Sequence, residues 1–432
     1  ALGETYYSFF NYQRSAETYD KVAANERFPE QTRRDNAKNA MILYANLGQR
    51  DKMMADYRIL LKTNPSSDDK ANADYTVASY DFKQWSPTAG DTGQNRQTRF
   101  AAQQSLISYF QTAKNAPGAA KYTVEAAYDV AKMMKSVSDN TYRTWFKNTV
   151  AAWDNYRSRA PVKDNKSEAQ TPPYVDYAAE ADFSLLDEQI TASFDDPAKH
   201  KYPPSVPEIF GEVQVDPKTK KAIIGADGKP VMKKKGKYQA NAAEAEKWDL
   251  ALDAMIKKYE SLEWVPTAIA RQGAIYDTLR TGLYNMVKVE LFTPQQKAAL
   301  KAMHDSGREN LDQIANDTED GMTDFWRKKK QQELDGADQV MVKRYASAVA
   351  YARKYNIRNA QLSRAVSRLA YFTDIISGGD AKMAEYVTST PDPTNKGATK
   401  LTYTSRQYVQ TRPGLSALPP PQGNASALPA AP

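Results

Sequence analysis

Apolar and aromatic residues recur at helical spacing through the first 65 residues of the chain, and each run closes at a proline. The first run covers residues 2–22 and ends before Pro29, and the second covers residues 41–60 and ends before Pro65. Spacings of three and four residues place such side chains on one face of a helix. Proline then ends the helix because it lacks a backbone N–H. The pattern predicts successive amphipathic helices that pack on one another.

The two runs share a register, which indicates an internal repeat. Tyr57 follows Tyr19 by 38 residues, and Met53 follows Ser15 by the same distance. In such a repeat a small residue lets two antiparallel helices approach closely, while an aromatic ring fills the space between them. Met53 departs from this pattern because it stands where a small residue is expected. A repeat of this length is typical of a helical solenoid.

The placement of these residues resembles the tetratricopeptide-repeat (TPR) family, whose units repeat at about 34 residues. Gly3 lies three residues before Tyr6, as in the first helix of a unit, and Ser15 lies four residues before Tyr19, as in the second. The resemblance implies an all-α, TPR-like solenoid of helix hairpins over residues 1–194. It also implies that function lies on the concave face of the solenoid.

The helical periodicity stops at a proline-rich segment, residues 195–237. There the β-type runs Glu212–Val215 and Ala222–Ile224 flank a turn, so we predict a small β-hairpin inserted between helical blocks. Residues 238–377 return to helical spacing, and the last two helices of this block are expected to form a capping pair. The predicted helices cover residues 238–259, 265–289, 294–317, 322–334, 337–355 and 359–376.

Residues 378–432 are rich in proline, which predicts an extended C-terminal tail. One segment within it, residues 400–409, has strand propensity and no partner strand nearby in the sequence. We expect it either to add to an exposed sheet edge of another protein or to lie extended on the chain's own helices. Leu401 and Tyr403 are the candidate partner-binding residues of this segment.

Composition supports a helical protein without thiol chemistry. The chain is 41% hydrophobic and 26% charged, with only 19 glycines and no cysteine. The absence of cysteine excludes disulfides and thiolate metal sites, and it suits an extracytoplasmic compartment. No stretch approaches the ~20 apolar residues of a membrane span. Because the chain begins at Ala1, we expect that a signal segment or further domains precede it.

The net charge of +7 does not by itself indicate a nucleic-acid partner. Basic residues mix with acidic ones along most of the predicted helices, whereas nucleic-acid binding needs a basic stripe with interleaved aromatic residues. The clusters Lys233–Lys235 and Arg327–Lys330 are expected to be solvated faces. We therefore expect no nucleic-acid partner.

No arrangement of residues predicts catalysis, a cofactor or a metal site. His200 and His304 lie far apart in the sequence without a second histidine at metal-ligand spacing, and both are expected on the surface. Residues 225–229 resemble a phosphate loop only superficially, because Pro230 stands where serine or threonine is required. We expect no enzyme activity and no small-molecule substrate. A hydrolytic site built from isolated glutamates stays open as an alternative.

Aligning the second unit with the TPR pattern implies which side chains bind partners. The inner-face positions are Tyr7 in the first unit and Asp35, Lys38, Ile42 and Asn46 in the second. These side chains would face a partner protein from the first helix of each unit.

Three segments, residues 2–22, 344–359 and 368–374, are similar to the TPR components of myxobacterial adventurous gliding motility. That similarity implies a non-catalytic scaffold in a multi-subunit cell-envelope assembly, with other protein subunits as partners. It also implies a periplasmic or outer-membrane-associated location. The alternative is a cell-wall (peptidoglycan or polysaccharide) enzyme or binding module.

Overall fold

The chain folds as an all-α protein. The computed structural model describes residues 2–113, 120–163, 166–219, 221–225, 231–286, 289–369, 388–391 and 399–402. Within these residues, fifteen α-helices are accompanied by two short 3₁₀ helices and three small β-ribbons. None of the helices in the described ranges is long and apolar enough to cross a membrane. The chain divides into two compact units between Leu185 and Leu186.

The first unit is built from helices that follow one another closely along the chain and pack on each other. The side chains of Asn11 and Ser66 cap two of these helices by accepting hydrogen bonds from backbone N–H groups of the first turn. Pro29 and Pro65 both lie in loops, as predicted. The helices are α1 Leu2–Ser8, α2 Tyr12–Ala24, α3 Glu30–Asn46, α4 Arg50–Lys62, α5 Ser67–Lys83, α6 Gly93–Ala113, α7 Ala120–Ser136, α8 Tyr142–Arg157 and α9 Tyr174–Ser193, which crosses into the second unit.

The α1–α2 pair shows why small residues matter in this unit. Ser15 of α2 donates a hydrogen bond to the carbonyl of Gly3 at 2.8 Å, and the ring of Tyr19 lies against Gly3. A Cβ atom added at Gly3 would stand 2.5 Å from that ring, closer than van der Waals contact allows. Only glycine lets these two helices approach to this distance, in line with the predicted pairing of small and aromatic residues.

One carboxyl group is buried within the core of the first unit, at Asp56 of α4. It lies beside Asp20 of α2 and close to Tyr44 of α3. Burial raises the pKa of the Asp56 carboxyl to about 8, and the negative charge of Asp20 adds to the effect. Neither carboxyl oxygen of Asp56 has a hydrogen-bond partner among the described residues. The group is therefore largely uncharged at neutral pH.

The second unit contains six further helices. They are α10 Val206–Phe210, α11 Lys237–Tyr259, α12 Trp264–Tyr284, α13 Pro294–His304, α14 Glu309–Tyr355 and α15 Ala360–Leu369. α12, α14 and α15 share one hydrophobic core, in which α15 packs on α14 as the predicted capping pair. The close-approach arrangement recurs here, because a Cβ atom at Gly273 of α12 would stand 2.6 Å from the ring of Tyr345 of α14.

α14 corrects the predicted helix boundaries. It is one continuous helix of 47 residues, whereas the sequence pattern suggested a first helix to residue 317 and breaks near Gly321 and Gly336. Glycine weakens a helix by roughly 0.5–1 kcal/mol relative to alanine but does not end it as proline does. No proline lies within this helix, so it continues through both glycines. The end of α13 at His304 also falls earlier than predicted.

The predicted hairpin of residues 195–237 is present. Val215 pairs antiparallel with Ala222, and the Asp216 side chain accepts hydrogen bonds from the backbone N–H groups of Lys218 and Thr219 in the turn. A second ribbon adds to it, because β3 (Glu212–Val213) pairs antiparallel with β4 (Met232–Lys234). In our numbering β1 is Val162–Lys163 and β2 is Lys166–Ser167, which also pair antiparallel.

The tail strand has a partner within the chain. β6 (Thr399–Thr402) pairs antiparallel with β5 (Thr388–Pro391), and Leu401 lies opposite Ser389. The expectation that residues 400–409 lack a partner strand is therefore wrong for residues 400–402. Pro391 does not prevent the pairing, because proline is tolerated at sheet edges. Tyr403 lies outside the described residues.

The contact between Gly273 and Tyr345 predicts opposite effects for two glycine substitutions. Gly273→Ala should lower the free energy of unfolding by about 1–3 kcal/mol, because the added methyl group overlaps the buried ring. Gly336→Ala should raise it by roughly 0.5–1 kcal/mol, because nothing lies within 4 Å of that position in α14. Urea unfolding followed by circular dichroism compares the two. Equal effects of both substitutions would contradict the close approach.

The buried carboxyl of Asp56 predicts a pH dependence of stability. Its pKa is about 8 in the folded chain and ~3.9 in an unfolded chain. The folded state therefore binds the extra proton, and the stability that this proton provides is lost as the pH rises from about 4 to about 8. Asp56→Asn removes the titration, so its stability relative to the wild type should rise with pH by up to about 1.4 kcal/mol per unit. Urea unfolding at several pH values tests this, with Asp51→Asn as an exposed control on the same helix.

Candidate functional site

Alternate helices of the first unit line a cleft of about 300 Å³. α3 packs on α5 and α5 packs on α7, and the cleft receives its side chains from these three helices alone. We call it the α3–α5–α7 groove. Its lining includes Lys38, Ile42 and Asn46 from α3, Asn72, Tyr75, Thr76, Ser79 and Lys83 from α5, and Tyr122 from α7.

Three of the predicted partner-binding residues lie together in this groove. Lys38, Ile42 and Asn46 follow one another at four-residue spacing on α3, which brings them to one face of the helix. Ile42 leaves 48% of its surface exposed, so apolar contact area is available to a partner. These three residues, which the TPR alignment predicts to bind partners, thus form one wall of the groove, and their role in binding stays a prediction.

The other two predicted residues of this region lie elsewhere. Asp35 of α3 is exposed and accepts a hydrogen bond from Gln31 at 3.0 Å, outside the groove lining. Tyr7 of α1 is 53% exposed and packs edge-on against Tyr12, with ring centroids 5.4 Å apart. Neither Asp35 nor Tyr7 therefore lines the groove with the three residues of α3.

An ion pair fixes the lysine at the edge of the groove. Lys38 Nζ lies 2.6 Å from Asp69 Oδ1 of α5, and this hydrogen bond lowers the pKa of the Asp69 carboxyl. The pair joins α3 to α5 and holds the lysine side chain in one position. A side chain that is already ordered loses less entropy when a ligand binds.

Sequence reasoning missed the aromatic wall of the groove. Tyr75 of α5 stacks on Tyr122 of α7 with ring centroids 4.6 Å apart, and Tyr128 of α7 stacks on Tyr177 of α9 at 4.5 Å. Aromatic residues at helical spacing most often belong to an ordinary helix–helix core. The sequence pattern alone therefore did not identify these rings as part of a groove. The available signal was the acidic residues on the same face of α7, because a helix that only packs into a core does not need them.

Those acidic residues are Glu125 and Asp129, one helical turn apart on α7. The hydroxyl of Tyr75 donates a hydrogen bond to Glu125. Burial raises the pKa of both carboxyls, and the charge of Glu125 raises that of Asp129 further. Lys83 and Lys132 act in the opposite direction, on Glu125 and Asp129 respectively. Both residues are only partly buried, and they lie next to Tyr75 and Tyr122 of the groove lining.

A second cleft, of about 680 Å³, lies within the second unit. We call it the α12 pocket, and residues of α12, of segment 195–202 and of α15 line it. Asp277 of α12 accepts a hydrogen bond from Arg368 at 2.7 Å and lies 3.6 Å from Arg364. Both arginines belong to α15. The pocket therefore contains a buried ion-pair network that joins two helices.

The second acid that lines the α12 pocket is held in the same way. Asp195 accepts a hydrogen bond at 2.6 Å from Arg271, which is itself buried and also binds Asp187. An acid or base in catalysis needs a carboxyl group that can exchange a proton with a substrate. Pairing with arginine stabilises the charged form of both carboxylates and favours a structural role for them.

The two histidines differ in their surroundings. His200 is buried, which corrects the expected surface position, because the 3₁₀ helix at residues 197–200 turns its ring towards Phe194. Its Nε2 atom donates to the Phe194 carbonyl at 2.7 Å. His304 is partly exposed and lies 2.6 Å from Asp312, and this hydrogen bond raises the pKa of the imidazole.

Among the described residues, no group of three or more histidine, aspartate or glutamate side chains is arranged to hold a metal ion. The chain matches no protein-family model, and no curated protein is significantly similar to it in sequence.

The ion-pair network of the α12 pocket predicts a large effect of one substitution. Asp277→Asn removes the negative charge between Arg364 and Arg368. Both arginines are partly exposed, so the loss of these charged hydrogen bonds should cost about 1.5–3 kcal/mol. The midpoint of urea unfolding should fall accordingly. Asp320→Asn, which makes the same change at an exposed position on α14, should stay within about 0.5 kcal/mol of the wild type. Similar midpoints for the two variants would contradict a structural role for Asp277.

Proposed function

We propose that this chain is a non-catalytic scaffold that binds partner proteins through the α3–α5–α7 groove, in the manner of a TPR protein. The observation that supports this most directly is that three alternate helices bring polar, aromatic and apolar side chains into one solvent-open cleft. The Lys38–Asp69 pair and the stacked Tyr75 and Tyr122 rings hold these side chains in place before binding. A preorganised cleft of this kind suits an extended segment of another protein.

The proposed setting is a multi-subunit assembly of the cell envelope, in the periplasm or at the outer membrane. Two sequence features support it: the similarity of residues 2–22, 344–359 and 368–374 to gliding-motility TPR components, and the absence of cysteine. The gliding machinery is the specific assembly that this similarity suggests. The other subunits of that assembly are the proposed partners.

The alternative, a cell-wall enzyme or binding module, would use the α12 pocket. The acids that line this pocket, Asp195 and Asp277, are each paired with arginine. Proton transfer to a substrate would require breaking one of these buried pairs. This observation favours the groove as the functional surface and a scaffold as the function.

Site-specific photo-crosslinking tests the proposed function in cells that produce the chain. A photoreactive amino acid at Ile42, which lines the groove, should form a crosslink to one partner protein in a defined ratio. The same amino acid at Arg58, an exposed position on α4 outside the groove lining, is the matched control and should form none.

A blocking variant completes this test. Ser79→Trp places a bulky ring inside the groove and should abolish the crosslink from position 42, provided that circular dichroism shows the fold to be intact. Equal crosslinking from positions 42 and 58, or a crosslink that survives Ser79→Trp, would contradict binding in the groove.

A further inference from the structure

Part of the α3–α5–α7 groove and its extension towards α9 combines aromatic rings with carboxylates. We call this region the tyrosine–acid pocket and define it by Tyr75, Tyr122, Tyr177, Glu125 and Asp129. We propose that this pocket binds an arginine side chain carried by an extended segment of the partner protein. The inference rests on the proposed function, because it names what the groove recognises.

Aromatic rings lie close to the two carboxyl groups. One cation is already near them, because Lys121 Nζ lies 5.1 Å from the centroid of the Tyr122 ring and 3.9 Å from Glu168. Tyr75 and Tyr122 form one stacked pair, and Tyr75 is hydrogen-bonded to Glu125. The negative charges of Glu125 and Asp129 both act on the hydroxyl of Tyr177 from α9. Aromatic faces attract cations through the ring quadrupole, and rings around an organic cation form the aromatic cages of known cation sites. A bound cation would favour the charged form of the carboxyl groups beside the rings and so add an ionic attraction.

The charges around the pocket are not balanced within the described residues. Glu180 of α9 accepts hydrogen bonds from Lys132 and from Tyr128, each at 2.5 Å, so Lys132 is already engaged. Lys83 is the remaining lysine whose charge acts on the pair, and it acts on Glu125. Two partly buried carboxylates, Glu125 and Asp129, thus face one lysine that is not held by another acid in the described contacts. A cationic ligand would remove this imbalance.

Buried polar atoms next to the pocket also lack partners. The hydroxyl of Tyr109 is buried and has no hydrogen-bond partner in the described part of the chain, and Tyr109 is only 3% exposed. Its ring lies 5.3 Å from that of Tyr75, and its hydroxyl is close enough to Glu125 for that charge to raise its pKa. The side-chain oxygen of Asn72, in the groove lining, is likewise unpaired among the described residues.

These atoms share one chemical property, since they accept hydrogen bonds. The oxygens of Glu125 and Asp129, the side-chain oxygen of Asn72 and the hydroxyl of Tyr109 can all receive an N–H group. Arginine meets this demand better than lysine, because its planar guanidinium stacks on tyrosine while presenting five N–H donors in a fixed fork. The net charge of the whole chain is +7, so a basic segment is not attracted by the protein in general. Its binding would require this local acidic surface.

Fluorescence anisotropy with the full chain tests the proposal. The probe is a blocked ten-residue glycine/serine peptide that carries two arginines and a neutral fluorophore. The reference peptide replaces both arginines with citrulline, which keeps the shape and removes the charge. The arginine peptide should bind at least about tenfold more tightly, a difference that corresponds to about 1.4 kcal/mol.

Three variants identify the site. Glu125→Gln combined with Asp129→Asn should weaken binding of the arginine peptide at least about tenfold. Its thermal stability should stay equal or rise, because two unfavourably buried charges are removed. Tyr122→Leu should weaken binding about two- to fivefold through loss of the ring face. Glu26→Gln combined with Asp51→Asn makes the same change in net charge at exposed positions outside the groove and should leave affinity within about twofold.

The proposal fails if the citrulline peptide binds as well as the arginine peptide or if the wild type binds neither. It also fails if the Glu125/Asp129 double variant keeps full affinity. The scaffold function is tested separately. It stands if the crosslink from position 42 persists in the Glu125/Asp129 double variant. A third outcome is that Ser79→Trp abolishes the crosslink while the arginine peptide binds equally well with and without Glu125 and Asp129. The groove would then bind its partner by other chemistry.

Discussion

At two helix contacts in the described part of this protein, a glycine packs directly against a tyrosine ring. Gly3 meets Tyr19 in the first unit and Gly273 meets Tyr345 in the second, and in both cases a single added carbon would overlap the ring. Such contacts set the distance and register between two helices, because the ring fits only opposite the gap that glycine leaves. In the second unit the hydroxyl of Tyr345 donates a hydrogen bond to Asp277 at 3.4 Å. Helix packing there is therefore connected directly to the ion pairs of the α12 pocket.

In the first unit, the same close packing creates a binding surface. When successive helix pairs are packed tightly, every second helix lies beside its counterpart in the next pair, and α3, α5 and α7 come to line one cleft. Side chains that would be exposed on a single helix, such as Tyr122 and Glu125, become half-buried between helices. The surface is rigid because it belongs to the packed core, which is the property that a scaffold needs to present fixed contacts to its partners.

Contacts within one helix or one hairpin were predictable from the sequence, while contacts between distant segments were not. The shared face of Lys38, Ile42 and Asn46 follows from residue spacing alone, whereas the spacing placed Gly3 and Tyr19 on adjacent helices without specifying their contact. The stack of Tyr75 on Tyr122 joins helices that are not adjacent in the chain, and no local pattern specifies it. The burial of His200 depends on how a proline-rich segment folds over its neighbours. The predicted breaks in α14 fall at Gly321 and Gly336, where glycine weakens the helix without ending it.

Burial raises the pKa of the carboxyl groups at two places in the first unit, Asp56 and the Glu125–Asp129 pair. The surroundings of the two places differ. Asp56 is fully enclosed, and neither of its carboxyl oxygens has a hydrogen-bond partner among the described residues. Glu125 and Asp129 keep part of their surface exposed, and aromatic rings lie beside them. An exposed carboxyl group can accept a hydrogen bond from a ligand, whereas an enclosed one has no access to a donor from outside the protein. This difference in exposure separates the buried acid of the core from the acids beside the groove.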